Sequence, residues 1–145
     1  MPVHTSAVRD RLTALGSPWT DGPFATAVAH AELIAEVTAT GAAQTAARTR
    51  RQQHGNTERA ADDPQFLRVL ADADARSAVA TAAVDSLVRG AEDGTASDAD
   101  AALVAAGLSA LSREAVRALF ETLGASSTLT EHGLHHFWAR LHELG

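Results

Sequence analysis

The stretch Asp63–Gly90 reads DPQFLRVLADADARSAVATAAVDSLVRG. Within it Phe66, Leu70, Ala73, Ser77, Ala80, Val84 and Leu87 recur in alternating steps of four and three. A β-strand would need a period of two, whereas steps of four and three keep one face of a helix pointing at a neighbour. That spacing is the seam of left-handed helix packing, so the segment is predicted to be a long helix inside a bundle. Asp63 and Pro64 supply an N-cap and a first-turn proline, and Gly90 with EDGTASD is expected to stop the helix near Arg89.

The same signals recur on both sides of this stretch. Pro23 to Gln53 carries Phe24, Val28, Ala31, Ile34, Val37 and Gly41 every three or four residues. Pro23 suits the first turn, Asp21 favours the positive end of the dipole, and Gly41 is expected to mark a close helix contact. His54–Asp63 reads as a polar loop. Downstream, Ser97 and Asp100 have capping-box spacing, and Val104, Leu108, Leu111, Ala115, Leu119 and Leu123 form the next apolar face. Gly124–Thr128 breaks that helix, and a last one over Glu131–Leu144 is expected to bury Leu134, Trp138 and Leu141. Ser6–Leu15 reads as a short helix ended by GSPWTDGP. The fold class is all-α: an antiparallel four-helix bundle of three long helices and a shorter C-terminal one, with a short N-terminal helix. Residues 1–22 form the N-terminal segment and 23–145 the bundle.

Composition agrees. Of 145 residues, 33 are Ala and only 4% are aromatic, so the core is built from small side chains that allow close helix contact. The net charge of −6 disfavours nucleic acid and anionic membrane surfaces. All twelve basic residues are Arg, and there is no Cys, which excludes disulfides and thiol chemistry. No apolar run reaches the roughly 20 residues of a membrane span, and MPVHTSAVRDR lacks the apolar core of a secretion signal. A cytoplasmic protein is expected.

The C-terminal TEHGLHHFWARLHELG holds four of the seven histidines. His132 lies three residues before His135 and four before His136, spacings that can bring two imidazoles onto one metal, with Glu131 or Glu143 as an added carboxylate. Neither the paired Glu-x-x-His of di-iron bundles nor a His-Glu-x-x-His zinc motif is present, so no metal is assigned. Acid–base chemistry fits better. His135 and His142 share a helix face with Trp138 between them, and imidazoles titrate near neutral pH. Expected catalytic residues are His135, His142 and Glu131, with Trp138, His136 and Ser126 binding substrate. The arginines of ARTRRQQH, Ala47–His54, complement the helix C-terminus; a phosphate-binding role for coenzyme A or a flavin nucleotide is the alternative.

The order of segments resembles a family. RAADDPQFLRVLADADARSAVATAAVDSL, then a further helix and ALFETLGASSTLTEHGLHHFWARLHEL, is similar to the C-terminal helical domain of acyl-CoA dehydrogenases and, more closely, of flavin-dependent monooxygenases of that fold. In that pattern a Gly-Gly/Ala-Ser turn precedes a helix of form Pro-Leu-Gln-Arg-x-x-Arg-Asp-x-His. Gly124, Ala125 and Ser126 match the turn; Leu134 and His142 match the Leu and His; Trp138 stands where an aromatic is common. Gly133 replaces the Pro, His135-His136 the Gln-Arg, and Ala139-Arg140 the Arg-Asp. The likeness covers residues 23–145.

The resemblance implies a flavin cleft that this chain does not complete alone, since the family's N-terminal helical and middle β-domains are not in it. No flavin is expected to bind to the isolated chain; FAD or FMN enters only if a partner protein completes the cleft. One reading is a flavin-independent tailoring enzyme, a cyclase or isomerase working on a small molecule in biosynthesis. The other is a non-catalytic partner subunit of a flavin-dependent dehydrogenase or monooxygenase, or an oligomerisation module, with a homodimer as the expected state. An excised domain is a third possibility, against which the start at Met1 weighs.

Overall fold

The computed structural model describes residues 3–16, 19–52, 64–123 and 129–144, and the side chains of 7–16, 19–43, 64, 67–121 and 135–144 among them. Five helices follow one another: α1 (Val3–Leu15), α2 (Gly22–Gln52), α3 (Pro64–Asp93), α4 (Asp98–Leu123) and α5 (Leu129–Leu144). No strand occurs among the described residues. The chain is all-α, as the periodicity predicts. Asp63, the expected N-cap of α3, lies outside the described residues, whereas Pro64 opens the helix as expected.

Helix α2 is the hub and touches every other helix. Helix α1 lies against α2 and α3, and α5 against α2 and α4. His30 meets Ser112 and Gly41 faces Leu119, so residue numbers rise together and α2 and α4 run in the same sense. The predicted face of α2 is buried at Phe24, Val28, Ala31, Ile34 and Val37, joined by Ala27 and Leu33. Opposite them lie Val84, Leu87 and Val88 of α3, and Leu108, Ala115, Val116 and Leu119 of α4. Trp19 closes the start of α2 by packing edge-on to Phe24, with ring centroids 4.7 Å apart.

Local chemistry sets the helix ends. Ser97 Oγ accepts from the Asp100 N–H at 3.2 Å, while Asp100 Oδ2 accepts from the Ser97 N–H at 3.0 Å. Two donors at the start of α4 are thus satisfied reciprocally, the capping box the sequence predicts. The end of α3 differs from expectation. Gly90 does not stop the helix; Gly94 does, at φ +74°. Its N–H bonds the Ala91 carbonyl and the Thr95 N–H bonds the Gly90 carbonyl, a Schellman cap. Gly90 serves the return of the chain instead, since a Cβ there would sit 2.9 Å from the Ala96 Cβ.

Two expectations about packing also change. At Gly41 a Cβ would meet only the Leu119 Cδ1 at 3.5 Å, an ordinary contact, so the helices do not require glycine there. The seam of α3 is fully buried at Ala80, Val84 and Leu87, but Leu70, Ala73 and Ser77 are only half-buried. Phe66 lies outside the described side chains. The upstream half of α3 opens onto a cleft beside α2, so its spacing is right while its cover is partial.

Candidate functional site

Three places hold polar chemistry. The first is buried. His30 (1% exposed) and Ser112 (0%) are the polar residues of the described core, 3.0 Å apart from Nδ1 to Oγ. Ser112 has one hydroxyl hydrogen, and the Leu108 carbonyl at 2.9 Å takes it. With that hydrogen so engaged, Ser112 Oγ is left to accept from His30 Nδ1–H, the tautomer that suits both contacts. Burial holds the His30 pKa below its ordinary value near 6.5, and the nearby Arg113 charge lowers it further. The pair joins α2 to α4. Sequence reasoning passed over it, although the apolar Ala27 and Ile34 flank His30 and Leu108 and Ala115 flank Ser112 at helical spacing.

The second place is α5. Phe137 and Leu141 are its buried anchors, with Trp138 and Leu144 partly buried against the same core. The burial centre is therefore Phe137, one residue before the expected Trp138. His135, His136 and His142 are all exposed, and the His136 ring lies 5.8 Å from that of Phe137. Arg140 reaches across to pair with Glu36 on α2. His135, Trp138 and His142 stand at steps of three and four along α5. Glu131, His132 and Leu134 lie on α5, but their side chains are outside the described ones, and Ser126 falls outside the described residues altogether. The same holds for the side chains of Arg48, Arg50 and Arg51 in the arginine run. Among the described residues no group of three His, Asp or Glu side chains gathers where a metal could be held.

The third place is a cleft of 740 Å³ between α1, α2 and α3, which nothing in the sequence reading located. Ala35, Ala39 and Ala42 form one wall, Ala78 and Ala82 the other, and Val8 of α1 closes an end. Beside that end Arg11 Nη1 bonds Asp85 Oδ1 at 2.9 Å, and Arg89 Nη2 bonds Asp85 Oδ2 at 2.9 Å. Arg11 also pairs with Glu92, whose carboxyl is held below the usual carboxylate range by that bond, while Arg9 pairs with Glu32. These contacts seat α1 on α2 and α3.

The geometry is that of a small-residue helical domain whose described histidine-rich end is solvent-facing. Comparison with protein families agrees: the family model described as acyl-CoA dehydrogenase, C-terminal domain, matches residues 26–144. The chain belongs to the acyl-CoA dehydrogenase C-terminal domain family. No curated protein and no solved structure matches it significantly. The family match takes in α2 from Thr26 onward, α3, α4 and α5, and leaves α1 outside. No described helix of this acyl-CoA dehydrogenase-type domain is long and apolar enough to cross a membrane.

Proposed function

We propose that this chain is an assembly module of the acyl-CoA dehydrogenase type, in which α2–α5 form an antiparallel four-helix bundle that self-associates through the outer face of α4. One observation carries the reading. Leu103, Ala106, Ala110, Arg113, Arg117 and Phe120 follow one another in steps of three and four, and every one is exposed. Leu103 is 76% and Phe120 42% exposed, two large apolar side chains on the side of α4 that faces away from the core. Heptad spacing open to water is a seam without a partner.

The stripe is also its own complement. A second copy turned about a two-fold axis at the level of Leu111 and Ser112 places Leu103 opposite Phe120, Ala106 opposite Arg117, and Ala110 opposite Arg113. Large side chains meet at the ends and small ones face the arginine stems in the middle, the self-matching that an isologous dimer needs. Glu114 and Glu121 stand three before and four after Arg117 on the same helix, so its charge has partners at hand. In this role the protein is cytoplasmic and binds neither FAD nor FMN by itself, since the helices offer a flavin one wall only. A flavoprotein partner would supply the rest. The test is sedimentation equilibrium at micromolar concentration: a species of twice the 15.1 kDa chain mass is expected, reverting to one chain mass in Leu103→Glu. A wild-type species of one chain mass would overturn the reading.

A second reading, a flavin-independent cyclase or isomerase in small-molecule biosynthesis, is supported by the half-buried Trp138 between His135 and His142. Those two imidazoles would carry the proton, Glu131 would orient one of them, and Trp138, His136 and Ser126 would contact substrate. Its test is turnover in His135→Ala and His142→Ala. Loss of an acid–base group costs about 10²–10⁴ in rate, and parental rates in both variants would remove this reading.

A further inference from the structure

Helix α1 differs from the other four in how it is held. It lies outside the family match and rests on the α2–α3 face of the matched helices. Among the described residues it touches neither α4 nor α5, so its departure breaks no contact within α2–α5. Its 13 residues fall in the range where isolated helices are marginal in water, so docking keeps it helical. Val8 and Leu12 are its buried side chains. Charge supplies the rest of the hold. Arg9 pairs with Glu32 of α2, and Arg11 pairs with Asp85 and Glu92 of α3. All of these groups reach solvent, so parting them strands no buried charge. Asp85 keeps Arg89, its neighbour on α3, when Arg11 leaves. The link to α2 turns at Gly16, whose φ of +79° is one that other residues rarely adopt. Beyond it Trp19 packs on Phe24 and belongs to the bundle, so the separable part ends at Gly16.

We propose that α1 is a charge-held strap, which leaves the α2–α3 face as a unit by pivoting at Gly16 while α2–α5 stay folded. Docked, it gives the 740 Å³ cleft the wall formed by Ala7, Val8 and Arg11. Released, it lets that cleft run on as a longer groove along α2 and α3. The strap therefore sets how much of this face is open, and ionic strength sets the strap. It touches nothing on α4, so it stands whether or not the chain dimerises.

The experiment is amide hydrogen exchange of the full chain, read residue by residue by NMR in about 0.05 M and 1 M sodium chloride. The amides of Ala7–Leu15 are expected to exchange together, about ten-fold or more faster than those of Phe24–Val37. High salt should speed α1 by about three-fold or more and leave the Leu108–Leu119 stretch of α4 unchanged. Arg9→Ala/Arg11→Ala should show the faster rate already in low salt, and salt should add nothing further. Leu12→Ala should also speed α1 but keep the salt response. Exchange of α1 in step with α2, an equal salt effect on every helix, or a salt response that survives in the double arginine variant would each overturn the proposal.

Discussion

Replacing Ser112 with Ala tests the one polar contact inside the described core. The change removes the oxygen that accepts the His30 Nδ1–H at a site where both residues are at most 1% exposed. A buried donor left without its partner costs about 1–3 kcal/mol. For a chain of this length that corresponds to a fall of about 3–10 °C in melting temperature. His30→Leu should behave differently. It leaves Ser112 Oγ still donating to the Leu108 carbonyl at 2.9 Å, so nothing polar is stranded and the change should lie within about 1 kcal/mol of wild type. In the double variant the cost of Ser112→Ala should vanish, giving a coupling energy of about 1–3 kcal/mol. Thermal and urea unfolding followed by circular dichroism at 222 nm measure all four corners.

The same pair sets a pH dependence. Because the His30 pKa is lowered in the folded chain, the unfolded chain takes up the proton first as pH falls below about 6.5. The stability tied to His30 is present above that value and lost as pH drops toward the lowered folded pKa. His30→Leu should flatten the stability profile between about pH 6.5 and 5, above the range where carboxylates titrate. If Ser112→Ala melts with wild type, or His30→Leu is the more damaging change, the assigned proton and the pairing are wrong.

Further outcomes follow from the helix ends and seams. Gly107→Ala on exposed α4, where an added Cβ meets nothing within 4 Å, should stabilise by up to about 1 kcal/mol, and Gly41→Ala by a similar amount. Gly90→Ala should instead destabilise, because its Cβ would lie 2.9 Å from that of Ala96; melting curves of the three decide. Arg11→Ala removes pairs to Asp85 and Glu92 at a solvent-accessible, half-buried site, so its effect on melting should be small, about 1 kcal/mol, and should shrink in high salt. The purified protein should be colourless, and fluorescence titration with FAD or FMN should show no saturable binding; stoichiometric yellow flavin would restore an oxidoreductase reading.

Helix positions were legible because periodicity and caps are local. The Ser97–Asp100 box and Pro64 fall where the sequence puts them. The extra turn of α3 was not legible: whether Gly90 or Gly94 ends the helix depends on how the chain turns back over Gly90 to bring Ala96, six residues on, against it. The cleft was hidden for a similar reason. The period of Leu70, Ala73 and Ser77 says which way they face but not whether a helix arrives to cover them. His30 hid in plain sight, since a lone histidine on an apolar face draws less notice than four near a terminus. The exposed stripe of α4 was also readable as a second heptad phase, but exposure was needed to tell it from the core face.

The proposed α4 interface can be measured directly, because the chain contains no Cys. In the proposed dimer position 103 of one chain lies beside position 120 of the other. The two copies of position 103 are 17 residues apart along antiparallel helices, about 25 Å at 1.5 Å per residue. Mild oxidation of Leu103→Cys/Phe120→Cys should therefore give a disulfide-linked dimer on non-reducing gels, while Leu103→Cys alone stays at the single-chain mass. No cross-link in the double variant, or equal cross-linking in the single one, would contradict the antiparallel α4 interface.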